Sequence, residues 1–123
     1  MIIMRENKLV VLSKAFAVDI IKLNDSIKER GRSNAIISQL LRSGTSIGAN
    51  IHEGNYAQSR SDFIFKMQIA QKECYETDYW LEVFKDSGII TSDEYKELFE
   101  KCSKIRKLLT ASIKTAKINR ESQ

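Results

Sequence analysis

Apolar residues recur along the chain at steps of three or four positions, which is the spacing of one face of an α-helix. The first series predicts a helix over about residues 6–29, which Gly31 then stops: Leu9, Leu12, Phe16, Ile20, Leu23 and Ile27. The second predicts a helix over about residues 33–54, with Ser33 as candidate N-cap and Gly54 at its end: Ile37, Leu40, Gly44, Ile47 and Ile51.

Two further segments continue this pattern. The third opens at Ser59 or Ser61 as N-cap, ends at Gly88, and carries a heptad seam: Phe63, Met67, Ala70, Cys74, Thr77, Leu81 and Phe84. The fourth begins with Thr91 and Glu94 at the spacing of a capping box and extends to about residue 118: Tyr95, Leu98, Cys102, Ile105 and Leu109. The sequence therefore predicts four helices.

The predicted connections, at residues 30–32, 55–60 and 87–91, are short compared with the helices. Short loops between long helices make consecutive helices antiparallel neighbours, and four apolar stripes are buried together in a bundle. We therefore expect an all-α fold, an antiparallel up-down-up-down four-helix bundle that forms a single domain over residues 1–123.

Composition narrows the class of protein further. The chain has no proline, two cysteines and no uninterrupted apolar stretch long enough for a leader or a membrane span, so we expect a soluble intracellular protein that makes no membrane contact. In the predicted hairpin of the last two helices, Cys74 and Cys102 lie at similar levels on core faces. We expect them to be neighbours, buried and reduced.

The residues offer little for catalysis. His52 is the only histidine, and its neighbour Glu53 points to another side of the helix, so the two cannot share a metal ion or a proton. Arg42 lies too far before His52 to match the Arg and His spacing of all-helical ribonucleases. Two cysteines and one histidine are too few for a zinc site. We therefore expect no enzymatic activity, no metal and no cofactor.

One polar stripe lies on the second predicted helix, opposite its apolar face: Arg42, Ser46, Asn50 and Glu53. It is either a solvated face or a hydrogen-bonded contact with a second chain, and we assign it to an oligomer or partner contact. The same helix contains Gly44 and Gly48, each costing about 1 kcal/mol of helix stability relative to alanine. Two such glycines indicate a close helix–helix approach, within the bundle or between subunits.

Charge is segregated along the chain. Residues 62–100 carry 4 basic and 10 acidic groups, whereas residues 101–123 carry 7 basic and 1 acidic group. On the last predicted helix, three lysines cluster opposite the core stripe and three cations flank them; together we assign them to nucleic-acid binding: Lys104, Lys107 and Lys114, then Lys101, Arg106 and Lys117.

Three interpretations of this basic ridge remain open. It complements the dipole of its own helix, it neutralises phosphates, or it meets the acidic segment of another copy. Four aromatic residues are expected to lie in or near core-facing positions, which leaves no evident stacking platform at the ridge: Tyr79, Trp80, Phe84 and Tyr95. Without exposed rings for stacking, contact with a backbone or with structured RNA is favoured over binding of single-stranded bases.

Residues 39–54 read QLLRSGTSIGANIHEG, residues 60–63 read RSDF, and residues 87–91 read SGIIT. Together they resemble the pattern of the S23 ribosomal protein family, the four-helix-bundle proteins encoded in intervening sequences of bacterial 23S rRNA genes. The similarity covers nearly the whole chain. Where many relatives have alanine this chain has His52, which argues against a functional histidine there.

The resemblance implies a cytoplasmic bundle without known enzymatic activity. In members similar to the accessory protein of diversity-generating retroelements, it further implies a ring-shaped homopentamer that binds a reverse transcriptase and nucleic acid through basic surface. We therefore expect a homo-oligomer, presumed from these relatives to be a pentamer, that binds structured RNA. The alternative is a protein-binding adaptor, such as an accessory protein for a reverse transcriptase.

Overall fold

The computed structural model describes residues 2–32 and 35–121, with side chains from Lys8 onward. These residues form four helices and no strand: α1 Ile2–Glu29, α2 Ile37–Gly54, α3 Arg60–Asp86 and α4 Ser92–Glu121. The predicted all-α fold is confirmed. Over the same described residues, none of the helices combines the length and the apolarity needed to cross a membrane.

Side-chain contacts show how the helices run. Between α2 and α3, Ser43 meets Thr77 while Glu53, further along α2, meets Lys66, earlier on α3. The order of partners is reversed in the same way between α3 and α4 and between α1 and α4. Consecutive helices are therefore antiparallel, in the up-down-up-down arrangement that the short loops predict.

The hydrophobic core draws on all four helices and follows the predicted stripes. Of the residues in the four predicted series, Leu12 and Tyr95 are only half-buried and pack against the core from its margin. The largest fully buried side chains come from every helix: Phe16, Phe84, Leu9, Ile20, Ile27, Ile47, Ile51, Met67, Leu81, Ile105 and Leu109. Burial of these side chains is the main favourable term in holding the helices together.

The two glycines inside α2 mark a close approach to α1. A Cβ atom at Gly48 would lie 3.3 Å from the backbone oxygen of Ser13, and one at Gly44 would lie 2.9 Å from Cγ1 of Ile20. Absence of a side chain therefore lets the two backbones come together. Of the two interpretations left open by the sequence, the structure supports an approach within the bundle.

The predicted helix ends are largely confirmed. The Ser59 hydroxyl accepts a hydrogen bond from the Asp62 N–H at 3.0 Å, which selects Ser59 over Ser61 as the cap of α3. Gly31 and Gly88 adopt positive φ angles of 80° and 76°, and beyond each the chain bonds back to the preceding helix as in a Schellman motif. At the start of α4, Thr91 and Glu94 form the predicted capping box.

Two predicted boundaries are wrong. α1 begins at Ile2 rather than near residue 6, since nothing in the first residues breaks a helix. α2 begins at Ile37 rather than at residue 33, because residues 35–36 form a turn in which the Ala35 carbonyl accepts a hydrogen bond from the Ser38 hydroxyl at 2.7 Å. The predicted cap Ser33 lies outside the described residues.

The contact between α1 and α4 is the sparsest between neighbouring helices. Polar side chains bridge it. Lys101 binds Asp19 at 2.8 Å, and the Arg30 guanidinium at the end of α1 binds Glu94 at 2.6 Å and donates to the Ile89 carbonyl at 3.2 Å. Arg30 thus connects α1 to both the α3–α4 turn and α4.

Candidate functional site

The polar stripe of α2 lies along the seam with α3. The Arg42 guanidinium binds Glu76 and, at 3.4 Å, Glu73, both on α3. The indole N–H of Trp80 also donates to Glu76, at 3.0 Å. Hydrogen bonds first from Arg42 and then from Trp80 hold the pKa of the Glu76 carboxyl below its ordinary value.

The rest of the stripe makes contacts inside the chain as well. Glu53 accepts from the Lys66 ammonium at 2.8 Å, and this hydrogen bond lowers the pKa of the Glu53 carboxyl. The Asn50 amide donates to the Ser46 carbonyl within α2, at 2.9 Å. Arg42 and Glu53 therefore join α2 to α3, and a role of the stripe in contact with a second chain stays a prediction.

Arg42, His52 and Glu53, the residues considered above for catalysis, each contact a different partner. Arg42 reaches the carboxylates of α3, Glu53 reaches Lys66, and the His52 ring packs on Tyr56 with a centroid distance of 5.3 Å. Over residues 8–32 and 35–121, no group of three His, Cys, Asp or Glu side chains is arranged to hold a metal ion. These contacts explain the three residues structurally, and nothing in them points to catalysis.

The two cysteines are neighbours in the core between α3 and α4, as predicted. Both are buried and free, and the Cys102 thiol donates to the Cys74 carbonyl at 3.5 Å. The hydrogen bond with Cys74 and burial raise the pKa of the Cys102 thiol. Because the thiolate is the nucleophilic form, this environment makes the thiol unreactive.

Two of the six cations assigned to nucleic-acid binding form ion pairs with carboxylates of the same chain. Lys101 binds Asp19 at 2.8 Å and Glu97 at 3.2 Å. Arg106 is half-buried, with Nε 3.6 Å from the Asp78 carboxylate, and its guanidinium lies over the Tyr75 ring at 5.2 Å from the centroid. Burial of the Asp78 carboxyl raises its pKa, and this outweighs the nearby positive charge of Arg106, which acts to lower it.

The other four cations form what we call the lysine row: Lys104, Lys107, Lys114 and Lys117. The first three are exposed and Lys117 is half-exposed. Among the residues with described side chains, no carboxylate lies within ion-pair distance of any of them. The row therefore presents ammonium groups without an ion-pair partner to solvent along about 20 Å of α4, with the nearest carboxylates of that helix one turn beyond its ends, at Glu100 and Glu121.

The acidic segment, residues 62–100, is largely neutralised inside the chain. Six of the ten carboxylates of residues 62–100 bind cations of the same molecule: Glu73, Glu76, Asp78, Asp86, Glu94 and Glu97. This reduces the charge available to attract the lysine row of a second copy. It also shows why net charge summed over a stretch of sequence overstates the field at the surface.

The expectation that the aromatic residues face the core is wrong for Tyr79, whose exposed fraction is 59%. Phe84 is buried, and Trp80 and Tyr95 are half-buried. Tyr79 shares the outward side of α3 with Tyr75 and Phe65, each 57% exposed, and we call these three residues the aromatic strip. The signal was in the sequence: residues 74, 77 and 81 occupy the seam, so positions 75 and 79 fall outside it.

One ring of the aromatic strip, that of Tyr75, lies at the seam between α3 and α4. Arg106, next to Lys107 in the chain, covers the Tyr75 ring, and the Gln71 amide donates to the Thr110 hydroxyl across the seam at 2.9 Å. Thr110 lies one turn before Lys114. The exposed Tyr75 ring thus lies at the α3–α4 seam, in contact with the residue that precedes Lys107, and sequence reasoning had missed the exposed rings.

Comparison with known proteins shows which family the chain matches. A sequence profile of the family described as 23S rRNA-intervening sequence protein matches residues 5–111. The chain is also similar to the crystal structure of a protein with unknown function from the S23 ribosomal protein family of Bacteroides thetaiotaomicron VPI-5482. The two are 43% identical with a TM-score of 0.87, over 89% of this chain and 98% of that one. No curated protein matches the chain.

Proposed function

Because the chain belongs to the 23S rRNA-intervening sequence protein family, we propose RNA as its ligand: the protein binds structured RNA through the lysine row and catalyses no reaction. The observation that carries this proposal is that no carboxylate among the described side chains lies within ion-pair distance of Lys104, Lys107 or Lys114. An uncompensated row of ammonium groups attracts phosphates wherever it faces solvent.

Within the six assigned cations, the lysine row is the primary contact. Lys101 and Arg106 already bind carboxylates of their own chain, so a phosphate at either position would have to compete with Asp19 or Asp78. We expect these two residues to contribute less to RNA affinity than the row does. Binding of this kind depends on the backbone and falls steeply with salt.

The test is RNA affinity measured against salt concentration, using a 23S-derived RNA and fluorescence anisotropy. Changing Lys104, Lys107 and Lys114 to glutamine should lower affinity and reduce the slope of log K against log salt by about 2 to 3, because each lost phosphate contact contributes about 0.7 to 0.9. The matched control removes three exposed lysines from α1: Lys14, Lys22 and Lys28. Equal effects of both triple variants would contradict the proposal.

A second candidate function, a protein-binding adaptor, draws support from α1. Val11, Val18 and Ile21 are exposed on its outward side, at fractions of 65%, 43% and 46%. Aliphatic residues at heptad-like spacing suit contact with another helix, in a second copy of the chain or in a protein such as a reverse transcriptase. This stripe adds a candidate subunit contact to the one predicted on α2.

A pull-down from the native host, with and without ribonuclease, distinguishes the two functions, since an adaptor retains its protein partner after RNA is digested. Light scattering tests self-association and the pentamer that the resemblance implies. If Val18→Lys lowers the oligomeric mass and Glu53→Ala does not, α1 forms the subunit contact. The reverse result would favour the α2 stripe.

A further inference from the structure

We propose that the aromatic strip and the lysine row act together as a binding surface for unpaired nucleotides of RNA, with bases stacking on Tyr75 and Tyr79 while the lysines hold the phosphates. This inference rests on the proposed function and narrows it, since it names the part of an RNA that is bound. It also reverses the preference that the sequence favoured, which assumed that no ring was exposed beside the cations.

The first support is the exposure and order of the rings. More than half of each of Phe65, Tyr75 and Tyr79 faces solvent, on a helix whose other apolar residues are mostly buried. Tyr75 and Tyr79 are one turn apart, about 6 Å along the axis. Stacking of a base on an exposed ring contributes about 1–3 kcal/mol and tolerates any base, because every base has a π-face.

The second support is the charge around the rings. The acidic residues of α3 mostly point elsewhere: Glu73 and Glu76 bind Arg42 at the α2 seam, and Asp78 binds Arg106 at the α4 seam. The outward side of α3 retains Lys72, Glu82 and Asp86, and the Asp86 carboxylate lies 3.7 Å from the Lys85 ammonium. Four of the six carboxylates of α3 are therefore already paired with cations of the same chain, which weakens the negative field that a polyanion would meet near the rings.

The third support is that both tyrosine rings are held in place. The Arg106 guanidinium covers one side of Tyr75, and the Trp80 ring meets Tyr79 edge-on at a centroid distance of 4.9 Å. Trp80 is itself fixed by its hydrogen bond to Glu76. Rings positioned before binding lose less conformational freedom when a base stacks on them.

These features favour unpaired nucleotides over a duplex. In a duplex the bases stack on one another and their faces are inaccessible, so a paired RNA of equal charge could use the lysines but not the tyrosines. A second copy of the chain could also cover exposed rings, but six of the ten carboxylates in its acidic segment are already paired within their own chain, so it offers the lysine row fewer partners than an RNA backbone does.

The experiment compares a 12-nucleotide oligoadenylate with a 12-base-pair RNA duplex, by fluorescence anisotropy over a range of salt. The variant Tyr75→Leu/Tyr79→Leu should bind the single strand about tenfold more weakly or worse, with an unchanged salt slope and unchanged duplex affinity. Tyr75→Phe/Tyr79→Phe is the matched control, because it keeps both π-faces and should retain affinity. Circular dichroism establishes that each variant is folded.

The outcomes separate the two proposals. If the Lys104, Lys107 and Lys114 triple variant weakens binding to both RNAs while the leucine variant binds both normally, the proposed function stands and this inference fails. If the unsubstituted protein binds neither RNA, the proposed function fails as well. Equal loss on single strand and duplex, or a change of oligomeric mass in the leucine variant, would overturn the inference and place the rings in a structural or subunit contact.

Discussion

The polar residues of helix α2 and those on the outer side of α4 differ in whether they have partners inside the chain. On α2, Arg42 and Glu53 each bind a residue of α3, and Gly44 and Gly48 seat the helix against α1. On α4, the lysine row faces solvent and has no carboxylate within reach among the described side chains. Arg42, Glu53 and the two glycines of α2 have partners inside the bundle, whereas the lysine row has no ion-pair partner among the described side chains.

This difference identifies where a ligand is to be sought. Exposed ion pairs contribute at most about 1 kcal/mol each, so a protein gains little stability from them, but they do cancel charge that would otherwise attract a partner. Uncompensated like charges instead repel one another slightly. A row of them on one helix is therefore better explained by binding than by folding.

The largest expected effect is on the stability of the fold, and it is tested by enlarging one small residue on α2 and one on α4. Gly48→Leu should destabilise the fold by about 3 kcal/mol or more, because its Cβ would already lie 3.3 Å from the rigid Ser13 carbonyl and the added bulk must displace α1. Ala111→Leu, on the exposed side of α4, should change stability by less than about 0.5 kcal/mol. Urea unfolding measures both, and similar costs would show that α1 and α2 are not closely packed.

A smaller effect concerns acid stability. Glu76 has a folded-state pKa below its ordinary value of 4.5, so its contribution is complete above about pH 4.5 and is lost as the pH falls through the folded value. Glu76→Gln should therefore cost up to about 1 kcal/mol at pH 7 and nothing in strong acid. Unfolding followed from pH 7 to 2 checks this, with Lys104→Gln expected to keep the unsubstituted profile. A constant difference between Glu76→Gln and the unsubstituted protein at every pH would contradict the assignment.

The smallest expected effect is on the stability of the lysine-row variant. Changing Lys104, Lys107 and Lys114 to glutamine should alter the free energy of unfolding by less than about 0.5 kcal/mol, with a slight gain at low salt as repulsion is relieved. Thermal unfolding at two salt concentrations measures this. A large loss of stability would mean that the lysines serve the fold and would remove the contrast with α2.

The sequence predicted the fold well because burial follows a simple period. The seam of α3, with Phe63, Met67 and Cys74, needed only the repeat of three and four residues to be found. The capping box, in which the Thr91 and Glu94 side chains each accept a hydrogen bond from the other residue's backbone N–H, was also identifiable from the sequence. The start of α2 was not, since it depends on a local turn at residues 35–36 rather than on a strong cap.

The candidate site was predicted less completely, because it depends on which charges meet across helices. A helical wheel places Arg42 and Lys101 outward but does not show that Glu76 and Asp19 reach them from neighbouring helices. The same wheel, drawn for α3 with its seam residues fixed, places Tyr79 outside. That error came from treating every aromatic residue as a core residue.

Arg30 helps to align α1 with α4. These two helices make the sparsest contact of the neighbouring pairs, so polar bridges matter more to their relative position along the bundle axis: Lys101 with Asp19, and the Arg30 guanidinium with Glu94 and the Ile89 carbonyl. Packing against a smooth groove tolerates sliding, whereas a forked donor between two fixed acceptors does not. Arg30 and Lys101 thus limit sliding between the two neighbouring helices that share the sparsest contact.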